Sequence, residues 1–427
     1  MESNNKTIFA VVNEDRQPFW GLKKYHIEKL FKDIQTPAYV IDEAMLHKNG
    51  SILKDLQEKT GCKILLAQKA FSNFNTYEIL SQYLAGTEAS GLYEARLGAE
   101  EMPEGEVHVF CGAYKEQDFL EVLKYADHIV FNSVSQLAKF GKQAKAAGRS
   151  VGIRINPECS TQEGHDIYDP CAPGSRLGVT LDNWNKNMTD DLIEILDGIH
   201  FHTLCEQDAD ALEVTLNAVE DKFGQYLHKM KWVNFGGGHH ITRDGYDIAL
   251  LGKCIMNFKE KYQVQVYLEP GEACALNAGY MITEVLDIIE NGNVTNLIID
   301  ASAACHMPDV IEMPYMPPLY GGTAVDNEES INKADEKEKT AVSEKGYTYR
   351  LGGPTCLSGD VIGSYTFKNP INVGDKLIFG DMAIYTTCKN NTFNGMPLPS
   401  IYSLKNDGTL QEIVTFGYED FKGRLGK

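Results

Sequence analysis

Eight short apolar runs, separated by amphipathic stretches, constrain the fold of this 427-residue chain more than any other feature. Runs of this kind predict buried strands that alternate with helices around a parallel sheet. In chain order they are KILLA (63–67), GTEAS (86–90), EVHVF (106–110), HIVF (128–131), VGIRIN (151–156), GIHFH (198–202), WVNFG (232–236) and VQVYLEPG (264–271).

The number and spacing of these runs favour a closed (β/α)8 barrel. Eight strands with helical spacers within roughly 230 residues match the usual size of this barrel, whose active site lies at the carboxyl ends of its strands. A doubly wound open sheet also alternates strands and helices and stays an alternative. It is disfavoured because no GxGxxG turn follows KILLA to open a helix.

The sequence changes character after about residue 276, where apolar runs lie between Gly, Asn and Asp turns without a long helical pattern. This pattern predicts a β-rich domain. We therefore expect a barrel over residues 43–276 and a β domain from residues 1–42 and 277–427, with PAYVID (37–42) as its first strand. The charged stretch 325–345 lacks aromatic residues, which predicts a flexible insertion without catalytic residues.

The composition limits the possible partners and the compartment. The formal net charge is −20, which disfavours nucleic acid and anionic membranes and favours cationic ligands. The chain has neither an apolar signal segment at its start nor a run of 18 apolar residues. Ten cysteines occur without a CxxC pair or a metal-ligand spacing, so we expect reduced thiols, no metal site and a cytoplasmic protein.

Four motifs place reactive groups where the predicted barrel strands end. Lys69 follows KILLA, where partial desolvation favours the neutral amine that forms imines. The triplet Gly236–Gly238 allows backbone N–H groups to approach a phosphate closely. Glu269 could bind the protonated nitrogen of a pyridine ring, and the flat imidazole of His202 could stack on such a ring. Each motif alone also has an ordinary structural explanation. Lys69 would be a solvated lysine, the glycine triplet would allow tight packing, Glu269 would lie in a surface turn, and His202 would be a core histidine.

A further glycine-rich turn, GGPTCLSGD, carries Cys356 and Asp360. A thiol in such a turn can return a proton to carbon after a carboxylate has left. Taken alone, Cys356 would more often be a small buried hydrophobic residue.

Together these stretches resemble the fold-type III (alanine racemase-like) decarboxylases that depend on pyridoxal 5'-phosphate (PLP). Within that group the chain is most similar to the enzymes acting on carboxynorspermidine or carboxyspermidine. The resemblance runs from Thr36 to Ile401 and is carried by TPAYVID, KILLAQKAFS, ASGLYEARLG, GIRINPE, YDPCAPGSRLG, GIHFHTLCEQDADAL, NFGGGHH, LEPGEACALNAG, IDASAACHMPDVIEMPY, GGPTCLSGD and FGDMAIYTTCKNNTFNG.

The resemblance implies a role for each cofactor-binding residue. Lys69 would hold PLP covalently, His202 would stack on its ring, and Glu269 would pair with the pyridine nitrogen. Gly236–Gly238 and Tyr385 would bind the phosphate.

The resemblance also implies a homodimer in which Cys356 and Asp360 come from the partner subunit. Cys356 would reprotonate the substrate, and Asp360 would contact it. Arg176, in SRLG, resembles the SKFG or SRFG motif of the wider family and is a further candidate for substrate binding.

One departure from the wider family suggests how a cationic substrate is recognised. Diaminopimelate and ornithine decarboxylases carry EPGR, whereas this chain carries EPGE, so Glu272 replaces an arginine. The change removes an anchor for an anion and favours an ammonium group. We therefore predict that Glu272, and more weakly Asp309, binds an ammonium group of a carboxylated polyamine.

The implied function is decarboxylation of carboxynorspermidine, carboxyspermidine or both in polyamine biosynthesis. The two substrates differ by one methylene group, which a pocket distinguishes by only about 1–3 kcal/mol. Three alternatives stay open: a decarboxylase of diaminopimelate, arginine or ornithine, a catalytically idle PLP-binding homologue, and an amino-acid racemase. EPGE argues against the first, the presence of Lys69 and Cys356 against the second, and the GPTC motif against the third.

Overall fold

The computed structural model describes residues 18–23, 25–162, 168–325 and 346–426. It divides into two compact units, Leu46–Cys274 and Met1–Met45 with Ala275–Lys427. The predicted flexible insertion at 325–345 lies outside the described residues except for Val325, so its character stays a prediction.

The unit Leu46–Cys274 is a closed barrel of eight parallel strands, as the spacing of the apolar runs predicted. Each strand pairs with the next, and the last pairs with the first to close the barrel. The strands are β2 (Lys63–Ala67), β3 (Gly86–Ala89), β4 (Glu106–Cys111), β5 (His128–Phe131), β6 (Ser150–Arg154), β7 (Gly198–His200), β8 (Trp232–Asn234) and β9 (Gln265–Leu268).

Helices follow the strands because a parallel strand needs a long crossover to return to the same end of the sheet. Strands covered on both faces are mostly apolar, and most of the strand residues are buried. The α-helices of this part of the chain are Glu43–Thr60, Tyr77–Leu80, Leu92–Glu101, Glu116–Val122, Val134–Ala146, Leu181–Asn187, Asp190–Ile193, Ala209–Leu227, Ile248–Tyr262 and Glu272–Ala275.

Local sequence fixes where several of these helices begin and end. Ser133 Oγ accepts from the Gln136 amide at 3.2 Å, and Asp247 Oδ1 accepts from the Leu250 amide at 2.8 Å, so both residues cap helix starts. The helix Ile248–Tyr262 ends at Gln263, which adopts the left-handed conformation.

Trp232, at the amino end of β8, packs with Leu65, Val130 and Tyr267 in a buried cluster. Trp232 is 3% exposed, and its Nε1 donates to Ser150 Oγ at 2.8 Å. The neighbouring strands carry glycine where the indole lies. A Cβ built on Gly198 would be 2.0 Å from Trp232 Cδ2, and one on Gly152 would be 2.3 Å from Cη2.

The second unit is built around a mixed sheet. The strand order is β12-β14-β13-β11-β10-β1-β16-β17, and β15 pairs with β10. The strands are β1 (Ala38–Asp42), β10 (Gly279–Asn291), β11 (Val294–Ile299), β12 (Gly322–Ala324), β13 (Tyr347–Gly352), β14 (Val361–Phe367), β15 (Lys376–Gly380), β16 (Ser400–Leu404) and β17 (Leu410–Val414). Its α-helices are Ile27–Leu30, Ala303–His306, Asp309–Glu312 and Tyr418–Leu425.

The strand predicted from PAYVID lies in the middle of this sheet as β1, antiparallel to β10 and parallel to β16. All five of its residues are buried. Tyr39 and Met281 belong to one apolar cluster, whereas Val40 and Tyr280 belong to another. Because side chains alternate between the faces of a strand, the two clusters bury both sides of the sheet.

Five barrel strands end before the apolar runs that predicted them. β3 and β6 end at Ala89 and Arg154, one and two residues early. β7 ends at His200, β8 at Asn234 and β9 at Leu268, although the runs continue to residues 202, 236 and 271. The extra residues form loops at the carboxyl ends, where Gly236 takes a positive φ of 73° that a strand does not allow. Among the described residues, no helix combines the length and apolarity needed to cross a bilayer.

Replacing Gly198 by Ala should destabilise the protein by about 1–3 kcal/mol, because the new methyl group overlaps the buried indole of Trp232. Urea unfolding measures this loss. Gly112→Ala is the control, since an added Cβ there has no atom within 4 Å. Equal stability of the two variants would contradict this account of the barrel interior.

Candidate active site

The loops that follow β7, β8 and β9 are joined by backbone hydrogen bonds at the carboxyl end of the barrel. The Gln207 amide donates to the Gly238 carbonyl at 2.9 Å, and the Glu269 amide donates to the Gly236 carbonyl at 2.8 Å. The predicted glycine triplet therefore lies between the other two loops, in contact with both.

Glycine is required in this triplet by the close approach of the loops. A Cβ on Gly236 would be 2.4 Å from the Phe201 carbonyl oxygen, and one on Gly238 would be 2.0 Å from that of Leu204. Both glycines also have a positive φ. Loop packing thus accounts for the triplet by itself, and phosphate binding by its N–H groups stays a prediction.

Glu269 is a buried carboxylate with a hydrogen bond to each oxygen. Asn234 Nδ2 donates to Oε1 at 2.5 Å, and His200 Nε2 lies 3.0 Å from Oε2. Burial alone would raise the pKa of Glu269, but the interaction with His200, with smaller contributions from His108 and Lys69, outweighs burial and holds that pKa below its ordinary value. Burial lowers the pKa of His200 in turn. Glu269 is therefore ionised in the barrel interior.

His202 lies just beyond the end of β7, beside the glycine triplet. Its Nδ1 accepts from the Gly237 amide at 3.0 Å, and its carbonyl accepts from the Arg154 guanidinium at 3.1 Å. Burial, with a smaller contribution from the charge of Lys69, holds the pKa of His202 well below its usual value. The ring is thus flat, neutral and fixed at one edge.

Lys69 lies in an exposed turn directly after β2. Its positive charge contributes to the lowered pKa of Glu269, whereas in Glu88 and Glu94 burial dominates and raises the pKa, well above normal in Glu88. The side chain is accessible, and its amine interacts electrostatically with the carboxyl groups of Glu88, Glu94 and Glu269.

Sequence reasoning missed His200, Asn234 and Glu88 as parts of this site. Each is a polar residue within a fully buried strand segment, and His200 and Asn234 each stand two positions before a residue that was identified. Because side chains alternate along a strand, the i−2 positions of His202 and Gly236 were a usable signal.

Two other predicted residues of the barrel unit take different positions. Glu272 is buried, and its Oε2 lies 3.1 Å from His240 Nε2. Arg176 is exposed, and its carbonyl accepts from Asn132 Nδ2 at 2.9 Å.

In the sheet unit, Cys356 and Asp360 lie in one turn but in different environments. Cys356 is exposed, and its amide donates to Asn394 Oδ1 at 2.7 Å. Asp360 is buried and accepts from Ser302 Oγ at 2.9 Å and Thr355 Oγ1 at 2.7 Å. These bonds to Asp360 hold the turn that presents the thiol.

Asp309 and Tyr385 both lie near Lys389. The Lys389 ammonium pairs with the carboxylate of Asp309 and also with that of Glu312. The same ammonium lies 5.9 Å from the centre of the Tyr385 ring, and Tyr385 has a positive φ of 49°.

The comparisons with known proteins agree with this arrangement. The sequence profile described as "Pyridoxal-dependent decarboxylase, C-terminal sheet domain" matches residues 38–383, most of the chain. The chain belongs to the pyridoxal-dependent decarboxylase family. Members of this family are carboxy-lyases that use PLP.

Relatives within the family differ in substrate. The chain is 42% identical to the carboxynorspermidine/carboxyspermidine decarboxylase of Campylobacter jejuni, over 92% of this chain and 99% of that one. It is 38% identical to the carboxyaminopropylagmatine decarboxylase of Synechocystis, over 92% and 96%.

Solved structures extend the similarity to the fold. Carboxynorspermidine decarboxylase from C. jejuni, complexed with norspermidine, superposes with a TM-score of 0.82 at 41% identity, covering 92% of this chain and 100% of that one. A diaminopimelate decarboxylase from M. jannaschii has a TM-score of 0.75 at 20% identity, covering 93% of each, and shares the fold.

The residues of the barrel unit fit PLP. An accessible amine, an ionised buried carboxylate and a neutral imidazole match the aldehyde, the protonated nitrogen and the face of its ring. Two buried polar atoms of this region, Glu88 Oε2 and His200 Nδ1, have no hydrogen-bond partner among the described residues, which is typical of a ligand site.

Replacing Asn234 by Leu should raise the pKa of Glu269 and cost about 1–3 kcal/mol at pH 8, because a buried carboxylate loses a donor. A lowered folded-state pKa stabilises the protein above the unfolded pKa, and this contribution is lost as the pH falls. The destabilisation should therefore be complete well above the unfolded pKa of about 4.3 and shrink only as the pH falls through the lower pKa of folded Glu269. Urea unfolding at pH 8 and at a pH below about 4 measures it.

Thr215→Val is the matched control, since it removes a buried hydrogen bond between two neutral hydroxyl groups, Thr203 Oγ1 and Thr215 Oγ1. Its cost should not change with pH. If the stability lost in Asn234→Leu is also independent of pH, Glu269 is not the affected charge.

Proposed function

We propose that this protein removes carbon dioxide from carboxynorspermidine, carboxyspermidine or both, as a PLP-dependent carboxy-lyase of polyamine biosynthesis. The observation that carries the proposal is the 42% identity to the C. jejuni enzyme over almost the whole of both chains. The structure of that enzyme is complexed with norspermidine, the amine that carboxynorspermidine yields on losing its carboxylate.

The barrel unit supplies the groups that would hold and orient the cofactor. Lys69 Nζ would hold PLP covalently, and its exposed position in the turn after β2 supports this role. The ionised Glu269, fixed by His200 and Asn234, would keep a proton on the ring nitrogen. His202 would lie against the ring, and the amides of Gly236–Gly238 would bind the phosphate.

Bound PLP supplies an electron sink for the pair of electrons left at Cα when carbon dioxide departs. The chain has to keep that sink charged, orient the scissile bond and return a proton. Burial of Glu269 would help to keep the ring nitrogen protonated, because a charge interaction is stronger where water is excluded. Cys356 Sγ would return the proton to Cα.

The sheet unit would contribute through a homodimer. Cys356 is exposed, and so are Leu357 at 43% and Phe393 at 48% of their surface. The Cys356 turn and the segment of Phe393 are joined by the bond from Cys356 to Asn394. Exposed apolar residues around a predicted proton donor support a surface covered by a second copy, as the family resemblance implies for Cys356 and Asp360. The assignment of Tyr385 to the phosphate rests on the resemblance alone.

The acidic character of the chain supports a polycationic substrate. A net charge of −20 raises the local concentration of a molecule with several ammonium groups. Glu272, Asp309, Asp360 and Arg176 stay the predicted substrate-binding residues. Glu272 and Asp309 already face His240 and Lys389, so a substrate ammonium would have to compete with those groups.

Carboxyaminopropylagmatine is the second candidate substrate, because the Synechocystis relative named for it is 38% identical. It places a guanidinium where carboxyspermidine has an ammonium. We propose the cytoplasm as the location, since all ten cysteines are free thiols, which suits a reducing compartment.

Release of carbon dioxide from four substrates by the purified protein with PLP tests the proposal. Carboxynorspermidine or carboxyspermidine should be turned over well above carboxyaminopropylagmatine and diaminopimelate. Lys69→Ala should reduce turnover to background, because the amine that holds PLP is lost. Lys142→Ala, at an exposed lysine of a barrel helix, is the control and should keep full activity.

If carboxyaminopropylagmatine is the preferred substrate, the protein is still a carboxy-lyase, but its substrate is the one for which the Synechocystis relative is named. Undiminished turnover by Lys69→Ala would contradict the role of Lys69.

Mixing two inactive variants tests the shared active site. Lys69→Ala and Cys356→Ala, unfolded and refolded together in equal amounts, should recover about a quarter of the wild-type activity. Half of the dimers would be mixed, and each mixed dimer would hold one intact site. No recovery, with mixed dimers demonstrated by mass spectrometry, would place Lys69 and Cys356 of one chain in the same site.

A further inference from the structure

The segment that follows the glycine triplet carries three basic side chains, His239, His240 and Arg243. Burial lowers the pKa of His239 to about 4, so that ring is neutral at neutral pH. Arg243 forms an ion pair with Asp208. His240 is the member of this segment whose charge depends on its surroundings.

His240 is buried against Glu272, with Nε2 3.1 Å from the carboxylate oxygen Oε2. Burial alone would lower the pKa of His240, but the hydrogen bond and charge of Glu272 outweigh it and raise that pKa. Glu206 adds to the increase and Arg243 opposes it. The ring therefore gains a proton more readily than an ordinary histidine does.

The other ring nitrogen of His240 lacks a partner. Nδ1 is buried and has no hydrogen bond within the described part of the chain. In the protonated ring this atom is a charged donor, and a buried charged donor without an acceptor is costly. The other side of the ring faces the carboxylates of Glu272 and Glu206, whose ligand atoms lie within 4.8 Å of one another and of His240. An anion that reached Nδ1 would supply the missing acceptor.

The backbone places His240 at the predicted phosphate loop. His240 stands two residues after Gly238, its amide donates to the Gln207 carbonyl at 3.2 Å, and the Gln207 amide donates to the Gly238 carbonyl at 2.9 Å. Thr242 Oγ1 donates to the Ala273 carbonyl at 2.7 Å, which ties the same segment to the helix that carries Glu272.

We propose that His240, held by Glu272, is a phosphate-binding residue of the PLP site. The inference rests on the proposed cofactor. In the EPGR decarboxylases an arginine stands at the position of Glu272, and here the cation is supplied from the neighbouring loop. The carboxylate at position 272 then serves the phosphate indirectly, by holding the imidazole, and this role replaces the ammonium-binding role that the sequence predicted for Glu272.

The negative charge of Glu272 has to be balanced if these loops bind a phosphate. An unpaired carboxylate in these loops would repel a phosphate dianion. Paired with an imidazolium, Glu272 has no net charge to present, and Nδ1–H offers a charge-assisted hydrogen bond. Glu206 is exposed, so water screens its charge.

Binding of PLP and of pyridoxal, which lacks the phosphate, separates this role from others. Each is titrated into protein freed of cofactor, and binding is followed by absorbance. His240→Gln should weaken PLP binding at least about tenfold, the usual effect of losing a charge-assisted hydrogen bond, and leave pyridoxal binding unchanged. His228→Gln, at an exposed histidine of the barrel unit, should change neither.

Position 272 provides a second, independent test. Glu272→Gln should weaken PLP binding. As the pH rises, the variant should also lose PLP at a lower pH than the wild type does, because its imidazole is deprotonated more easily. The double variant His240→Gln/Glu272→Arg should restore PLP affinity, since it returns the cation to position 272. Circular dichroism melts confirm that the variants are folded.

Three results would overturn the inference. They are equal weakening of PLP and pyridoxal by His240→Gln, unchanged PLP affinity in both single variants, and a raised KM for substrate with unchanged PLP affinity in Glu272→Gln. The last result would instead support Glu272 as the ammonium site. Failure of the wild type to bind either compound would overturn the cofactor proposal itself, which distinguishes the two failures.

Discussion

Closure of the barrel by pairing of its first and last strands is the constraint on which the rest of the site depends. Lys63 and Ile64 of β2 stand opposite Tyr267 and Leu268 of β9. The turn after β2 and the loop after β9 are therefore neighbours, and a Cβ on Gly271 would be 2.5 Å from that of Ala70. This closure brings the charge of Lys69 to Glu269, although the two residues are far apart in the sequence.

The barrel interior assigns different charges to residues of the same type. His202 and His239 are kept neutral by burial, whereas His240 gains a proton because Glu272 lies against it. Glu88 has a pKa well above normal, whereas Glu269 is ionised because His200 and Asn234 both bind it. These groups are largely shielded from water, so the protonation state of each one depends on its burial and on its hydrogen-bond and charge partners.

Family membership and substrate choice rest on different parts of the molecule. Diaminopimelate decarboxylases share the fold at about one-fifth identity, while relatives with carboxylated polyamines in their names are 34–42% identical. A fold of this kind hosts several related substrates because its loops, rather than its strands, contact them. In the loop after β9, Glu272 lies against His240, where the EPGR decarboxylases carry an arginine.

Much of the architecture was determined by sequence alone. Apolar runs such as KILLA and HIVF predicted the parallel barrel, because strands covered on both faces have few polar residues. PAYVID predicted the first strand of the second sheet. The positions of Lys69 and Glu269 beyond strand ends also followed from the sequence, since reactive groups of barrels lie at the carboxyl ends.

Only the tertiary structure decided the partners and charges of these groups. The sequence cannot show that His200 and Asn234 bind Glu269, that Glu272 faces His240, or that Lys389 pairs with Asp309, because these contacts join residues distant along the chain. It also could not locate the ends of β7 and β8, where apolar character continues past the last ladder bond. Apolar pattern is a local property of the chain, whereas hydrogen bonding and the protonation state of a buried group depend on what folding brings within a few ångströms.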